Sequence, residues 1–210
     1  MAGFKMHMSW GVVLAIASLI LGVIFSAFSG FEIMAWIFGG VLIGSFLPDL
    51  DSDGGVPFQI LFGLAGASLA GLGFYYFFQT GNRDLKILIG VPILVFLFVR
   101  FGVGYVFQKL THHRGIFHSI PAAVLSGLAS AWVLGYFSIE FQKTILIGLA
   151  VVVGYLGHLV LDEVYSTVNL KGFSIAPKKS LGSTMKLWSS SRIASSFVYF
   201  LIIILIFRLV

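Results

Sequence analysis

Apolar residues run along this chain in blocks of membrane-spanning length, separated by short polar breaks. Crossing the ~30 Å hydrocarbon core of a bilayer takes about 20 apolar residues in an α-helix. On that measure the sequence predicts helices over residues 9–29, 31–47, 57–78, 85–107, 119–138, 144–165 and 192–210. The breaks have local causes. Ser29-Gly30 divides the first two blocks, Pro48 with "DLDSDGG" ends the second, and "QTGNRD" separates the third from the fourth. Ser119 followed by Pro121 reads as a helix start, a capping hydroxyl with proline in the first turn. A transmembrane β-barrel would show segments of about ten residues with alternating polarity, and no such pattern occurs. The expected fold class is all-α, a polytopic membrane helical bundle of about seven transmembrane helices, or six.

The spans are expected to form a single membrane-embedded domain over residues 1–210. Residues 166–191 make the one long polar connection, and its Lys171, Lys178, Lys179 and Lys186 suit contact with lipid headgroups. Lys5 ahead of the first apolar block resembles a signal peptide, but the block is long and no small-x-small cleavage site follows, so a retained helix is expected. Composition agrees with the pattern: 59% of residues are hydrophobic and 10% charged, against about 25% charged in soluble domains. The absence of cysteine excludes disulfides, thiolate metal ligands, cysteine nucleophiles and iron–sulfur chemistry. A net charge of +5 fits loops facing anionic lipid or cytoplasm, not nucleic acid.

Counting crossings sets the polar residues in order. The N-terminus and the segments 48–56, 108–118 and 166–191 fall on one side of the membrane. That side holds eight of the thirteen Lys and Arg residues, and such an excess marks the cytoplasmic face. The same side collects all five histidines and five of the eight acids. Multi-pass insertion in the cytoplasmic membrane of a prokaryote is the expectation, with this polar face inward.

Several of these residues have the spacing of a metal site. His158 and Asp162 stand four apart and so share a helix face. Ionisable residues inside a span cost at least a few kcal/mol and are functional by default; a His–Asp hydrogen bond stapling two helices is the plainer alternative. Asp49 and Asp51 follow Pro48, and alternate residues of an extended chain face the same way. A solvated turn with capping aspartates is equally compatible. The run imitates an EF-hand start, but Ile60 occupies the twelfth position where glutamate is required, so a calcium loop is rejected. In "THHRGIFHS", His113 and His118 reach one target if His113 lies in the loop and His118 opens the next helix, whereas His112 reads as a surface residue. His7 stands just ahead of the first predicted span, on the same side. Arg114 suits a phosphate or carboxylate, or else the membrane surface.

Imidazoles mixed with carboxylates, without sulfur, suit Zn²⁺ first, then Mn²⁺ or Fe²⁺, better than Ca²⁺ or copper. His7, Asp49, Asp51, His113, His118, His158 and Asp162 are more ligands than one four-coordinate ion needs. Two ions bridged by Asp49 or Asp51 are therefore expected, an arrangement suited to hydrolysis of phosphate esters. The sequence contains no G-x-S-x-G, H-E-x-x-H or P-loop pattern.

His7 near the start, "LPDLD", "HRGIFHS" and "GYLGHLVLDEVYS", in that order, resemble the YdjM-like family of membrane-bound metal-dependent hydrolases, itself distantly similar to zinc-dependent phospholipase C. Phe117 departs from the pattern at a position where that family commonly has threonine. The resemblance covers the chain to about residue 166 and implies the same seven metal-site positions. The expected function is an integral membrane di-metal phosphoesterase acting on a membrane lipid or lipid-linked phosphoester at the cytoplasmic surface. Asp49, Asp51, His113 and Arg114 would be catalytic, and Arg114 with Lys109 would hold the substrate phosphate. Two other classes stay open. One is a metal-ion transporter or sensor, which would place its ligands near the bilayer midplane. The other is a non-catalytic scaffold whose metal only fixes the helices.

Overall fold

The structure is a computed structural model that describes residues 3–52, 55–110, 115–169, 174–175, 185–189 and 191–209. Seven helices carry the described fold: α1 (Phe4–Ile24), α2 (Phe31–Phe46), α3 (Val56–Gln79), α4 (Lys86–Lys109), α5 (Ile120–Tyr136), α6 (Phe141–Thr167) and α7 (Arg192–Leu209). All except α5, which has 17 residues, are long and apolar enough to cross a membrane, α2 when the turn that continues it to Asp51 is counted. The fold class is the all-α polytopic bundle expected from the apolar blocks. A 3-10 turn, Leu47–Asp51, continues α2. Short π-helical stretches, Lys86–Gly90 and Phe98–Val103, interrupt α4. Residues Val168–Asn169 and Ser174–Ile175 form a two-rung antiparallel pairing.

The helix limits differ from the sequence expectation most at the N-terminus. α1 begins at Phe4, not residue 9, so His7 lies within it and not ahead of it. A histidine reads as polar punctuation in a sequence, but here it is buried and the helix runs through it. The far end of α1 stops at Ile24, because Ser26 adopts a left-handed φ of 53°. At α5 the start signal works as expected: the Ser119 hydroxyl accepts from the Ala122 N–H at 3.3 Å, with proline in the first turn.

Two compact units make up the chain: residues 1–48 with 114–210, and residues 49–113. In the first, α6 is the central helix, packing on α1, α2 and α5, while α7 packs on α5. Lipid tails are as apolar as leucine, so membrane helices associate through close packing of small residues. Gly40 and Gly44 of α2 face Ala150, Val151 and Gly154 of α6 in that way. A Cβ at Gly44 would run into the Val151 backbone, and one at Gly154 into the backbone of Val41. Gly11 brings α1 against the Ser45 side chain, and Gly127 of α5 meets Gly148 of α6. In the second unit α3 packs on α4 through aromatic rings. Phe58, Phe62 and Phe107 form a cluster with centroids 4.6–6.4 Å apart, and Gly66 lies against Phe96.

Candidate metal centre

Within the first unit, the start of α1, the end of α2, the approach to α5 and the last turns of α6 come together around four side chains. His7, His118, His158 and Asp162 are each exposed by no more than 1%. Each is placed by a local feature of the sequence. His7 shares its helix face with Gly11 and Ala15, both buried, so α1 lies flush and the imidazole points inward. His158 and Asp162 follow one another by one turn of α6.

The segment carrying His118 is tied at several points. The Tyr155 hydroxyl of α6 donates to the Phe117 carbonyl. The Ser119 hydroxyl donates to the Ile116 carbonyl, and the Ile120 N–H donates to the Lys186 carbonyl at 3.1 Å. The last tie sets part of the polar connection, residues 185–189, beside the entry to α5.

Asp162 is the hub. His7 Nε2 stands 3.3 Å from its Oδ1, while His118 Nε2 and His158 Nε2 stand 3.7 and 3.8 Å from its Oδ2. These separations exceed the usual 2.7–3.2 Å of a hydrogen bond. They approach the distance between donors that share an ion: metal–nitrogen bonds of about 2.0–2.1 Å put tetrahedral ligands roughly 3.3–3.4 Å apart. The His7 and His158 rings are stacked, with centroids 3.6 Å apart and planes 10° from parallel. Neither ring nitrogen of His7 makes a hydrogen bond among the described residues.

His158 Nδ1 donates to the Ser45 carbonyl at 2.7 Å. That carbonyl belongs to the last turn of α2, where helix carbonyls lack intrahelical partners. With the proton on Nδ1, the Nε2 lone pair faces Asp162. Metal-ligating histidines carry this kind of outer hydrogen bond, which fixes the tautomer and ring orientation. Three imidazole nitrogens and one carboxylate, all buried, are a donor set that fits a borderline divalent cation such as Zn²⁺.

Asp49 and Asp51 stand on the 3-10 turn Leu47–Asp51, and Asp51 is buried. Lys109 is exposed in the last turn of α4, with Nζ 4.8 Å from the Tyr105 ring centroid. His112, His113 and Arg114 lie outside the described residues.

Three residues around the cluster carry no obvious signal of their own in the sequence. Ser45 acts through its backbone oxygen and Tyr155 through a tie to a neighbouring loop. Trp10, one turn beyond His7, has a buried indole nitrogen with no hydrogen-bond partner among the described residues. The Gly40-x-x-x-Gly44 spacing immediately before Ser45 is the feature that could have pointed to it, since such spacing marks close helix approach.

A family model described as "YdjM inner membrane protein" matches residues 1–209. No curated protein and no solved structure matches the chain. With nearly its whole length matched and the apolar helices in place, the chain belongs to the YdjM inner membrane protein family.

Proposed function

We propose that this protein is an integral membrane metal-dependent hydrolase, a di-metal phosphoesterase acting on a lipid or lipid-linked phosphoester at the cytoplasmic membrane surface. One observation carries the reading: the two oxygens of the buried Asp162 carboxylate are divided, Oδ1 toward His7 and Oδ2 toward His118 and His158. A carboxylate placed like this would let each oxygen serve as a ligand, to one ion or to two. His7, His118, His158 and Asp162 would hold the metal, with Zn²⁺ the best match to the donors and Mn²⁺ or Fe²⁺ next. Held there, such ions would supply Lewis acidity for hydrolysis of a phosphoester.

The protein's own groups do the rest. The Ser45 carbonyl holds His158 in the tautomer that presents Nε2. Burial of the cluster keeps bulk water away, which strengthens every charge interaction inside. Asp49 or Asp51 is assigned to bridge the ions, His113 to complete a shell, and Arg114 with Lys109 to hold the phosphate; these assignments rest on sequence spacing and family resemblance. Cytoplasmic sidedness rests on the Lys/Arg excess.

The experiment is hydrolysis of vesicle lipids by purified protein, read as inorganic phosphate from phosphatidic acid or as a phosphomonoester from a diester phospholipid, with and without chelator, and with His158→Ala. Release that both treatments abolish is the expected result. Hydrolysis that survives both would end the metal-dependent reading, and no hydrolysis of any phosphoester would end the hydrolase reading.

A second reading has its own support. Three imidazoles and one carboxylate already fill a tetrahedral shell, and all four are buried; structural zinc sites are closed in this manner. A metal-stabilised scaffold would unfold on chelation and release phosphate from no ester.

A further inference from the structure

An apolar groove of about 890 Å³ runs between α2 and α5 in the first unit, floored by α6. Ala35, Gly39 and Ile43 line one wall, Ser126 and Ser130 the other, with Val151 beneath. Its ends differ in character. Leu47 closes one end and packs on the buried cluster that includes Tyr155 and Leu159, the latter adjacent to His158. Two residues before Leu47, Ser45 gives its carbonyl to His158. At the opposite end stands the exposed carboxylate of Glu32. The groove therefore runs from the turn of α2 that neighbours a candidate cation site, whose four residues do not themselves line it, to an acid. An amphiphile with an anionic head is favoured in one direction only, its head at the Leu47 end.

Size narrows the occupant. Glu32 to Leu47 covers about 22 Å of helix at 1.5 Å per residue, most of the ~30 Å hydrocarbon core. Over that length the volume corresponds to a channel of roughly 40 Å² in section. An extended hydrocarbon chain fits a section of that size, and the apolar lining suits it. Small side chains keep the space open, and a Cβ at Gly39 would meet nothing within 4 Å.

We infer that this groove seats one acyl chain of a phospholipid, with the phosphate at the Leu47 end beside the histidine–aspartate cluster. The assignment of the head group rests on the hydrolase reading above and extends it to a lipid substrate class and a binding site.

The test is photolabelling in phosphatidylglycerol nanodiscs doped with a phosphatidic acid that carries a diazirine on one acyl chain. Adducts are mapped by mass spectrometry. The expected result is labelling of Ala35 and Ser130 that Gly39→Leu removes and Gly63→Leu preserves. Gly63 of α3 is equally open to a new side chain but lies outside the groove. Should Gly39→Leu fail to fold, Ala129→Leu fills the same space from α5 and is expected to remove the label too.

Labelling spread evenly over the outward faces of α3 and α4, or indifferent to both groove-filling variants, overturns the inference. So does a second copy of the chain cross-linked over the groove, or preferential labelling by a photoreactive polyprenyl phosphate. The readout needs no turnover. Groove labelling without phosphate release from any ester supports the acyl seat and counts against the hydrolase; phosphate release without groove labelling overturns the seat alone.

Discussion

Where α2 meets α6, Gly44 and Gly154 let backbone touch backbone, and the end of that seam buries His158 and Asp162. Where α3 meets α4, the contact is made by phenylalanine rings, and the buried positions of α3 are Pro57, Phe58, Phe62 and Gly66. Both are helix pairs in a lipid-type setting, and both use glycine. The difference is what the close approach is for. Rings that interlock need only dispersion contacts, which any similar ring supplies. Buried imidazoles and a carboxylate cost free energy unless partners are held at fixed distance. A backbone seam fixes those distances, and it also delivers the Ser45 carbonyl to His158. Arg100 marks the contrast. Between the terminal Lys86 and Lys109 it is the one charged residue of α4, and its guanidinium sits over the Phe58 and Phe101 rings at 5.5 and 5.3 Å.

The contrast can be broken most sharply at the glycines. Gly44→Leu should prevent folding or exceed the roughly 1–3 kcal/mol of ordinary overpacking, because the obstacle is the Val151 backbone and not a movable side chain. Gly63→Leu in α3 should leave the thermal unfolding midpoint in detergent unchanged. Equal behaviour of the two variants would show that the seam is not the tight element.

Next in size is the cluster itself. Asp162→Ala leaves three buried imidazoles without their hub, and removing one member of a buried charged cluster costs about 3–5 kcal/mol. Thermal unfolding should record that loss, whereas Arg100→Met should cost about 1 kcal/mol, the worth of a cation–π contact at a half-buried site. A smaller effect separates metal from packing. Chelation should remove about 2.7 kcal/mol from the wild type if the ion is present at 100 times its dissociation constant. The same chelation should leave the unfolding of Asp162→Ala where it was. Smallest is Tyr155→Phe, which deletes the hydrogen bond to the Phe117 carbonyl at a cost of about 1 kcal/mol. Its mark should be weaker metal retention through a looser His118, with α3 and α4 untouched.

Much of the fold is legible in the sequence because lipid demands long apolar helices, and their breaks fall at glycine, proline and polar runs. Ser119 with Pro121 announces α5 within a residue of its start. The meeting of His7, His118, His158 and Asp162 is legible too, since an even number of crossings separates the segments that carry them. The start of α1 is not, because a buried histidine and a solvated one look alike until the partner helix is known. Ser45 is hidden for a different reason. Its role belongs to a backbone oxygen 113 residues from its partner, and it exists only because glycines bring α2 and α6 together. Tyr155 lies inside a recognisable motif, but its bond to Phe117 depends on how the loop before α5 turns.

The central claim is that the end of the first unit holds a divalent ion between His7, His118, His158 and Asp162. Elemental analysis of purified protein tests it directly. The wild type should carry at least one equivalent of zinc, manganese or iron per chain, and Asp162→Ala should carry none while still containing its helices by circular dichroism. Wild-type protein that purifies without metal and takes up none of the three, or an Asp162→Ala variant that retains the full complement, would contradict it.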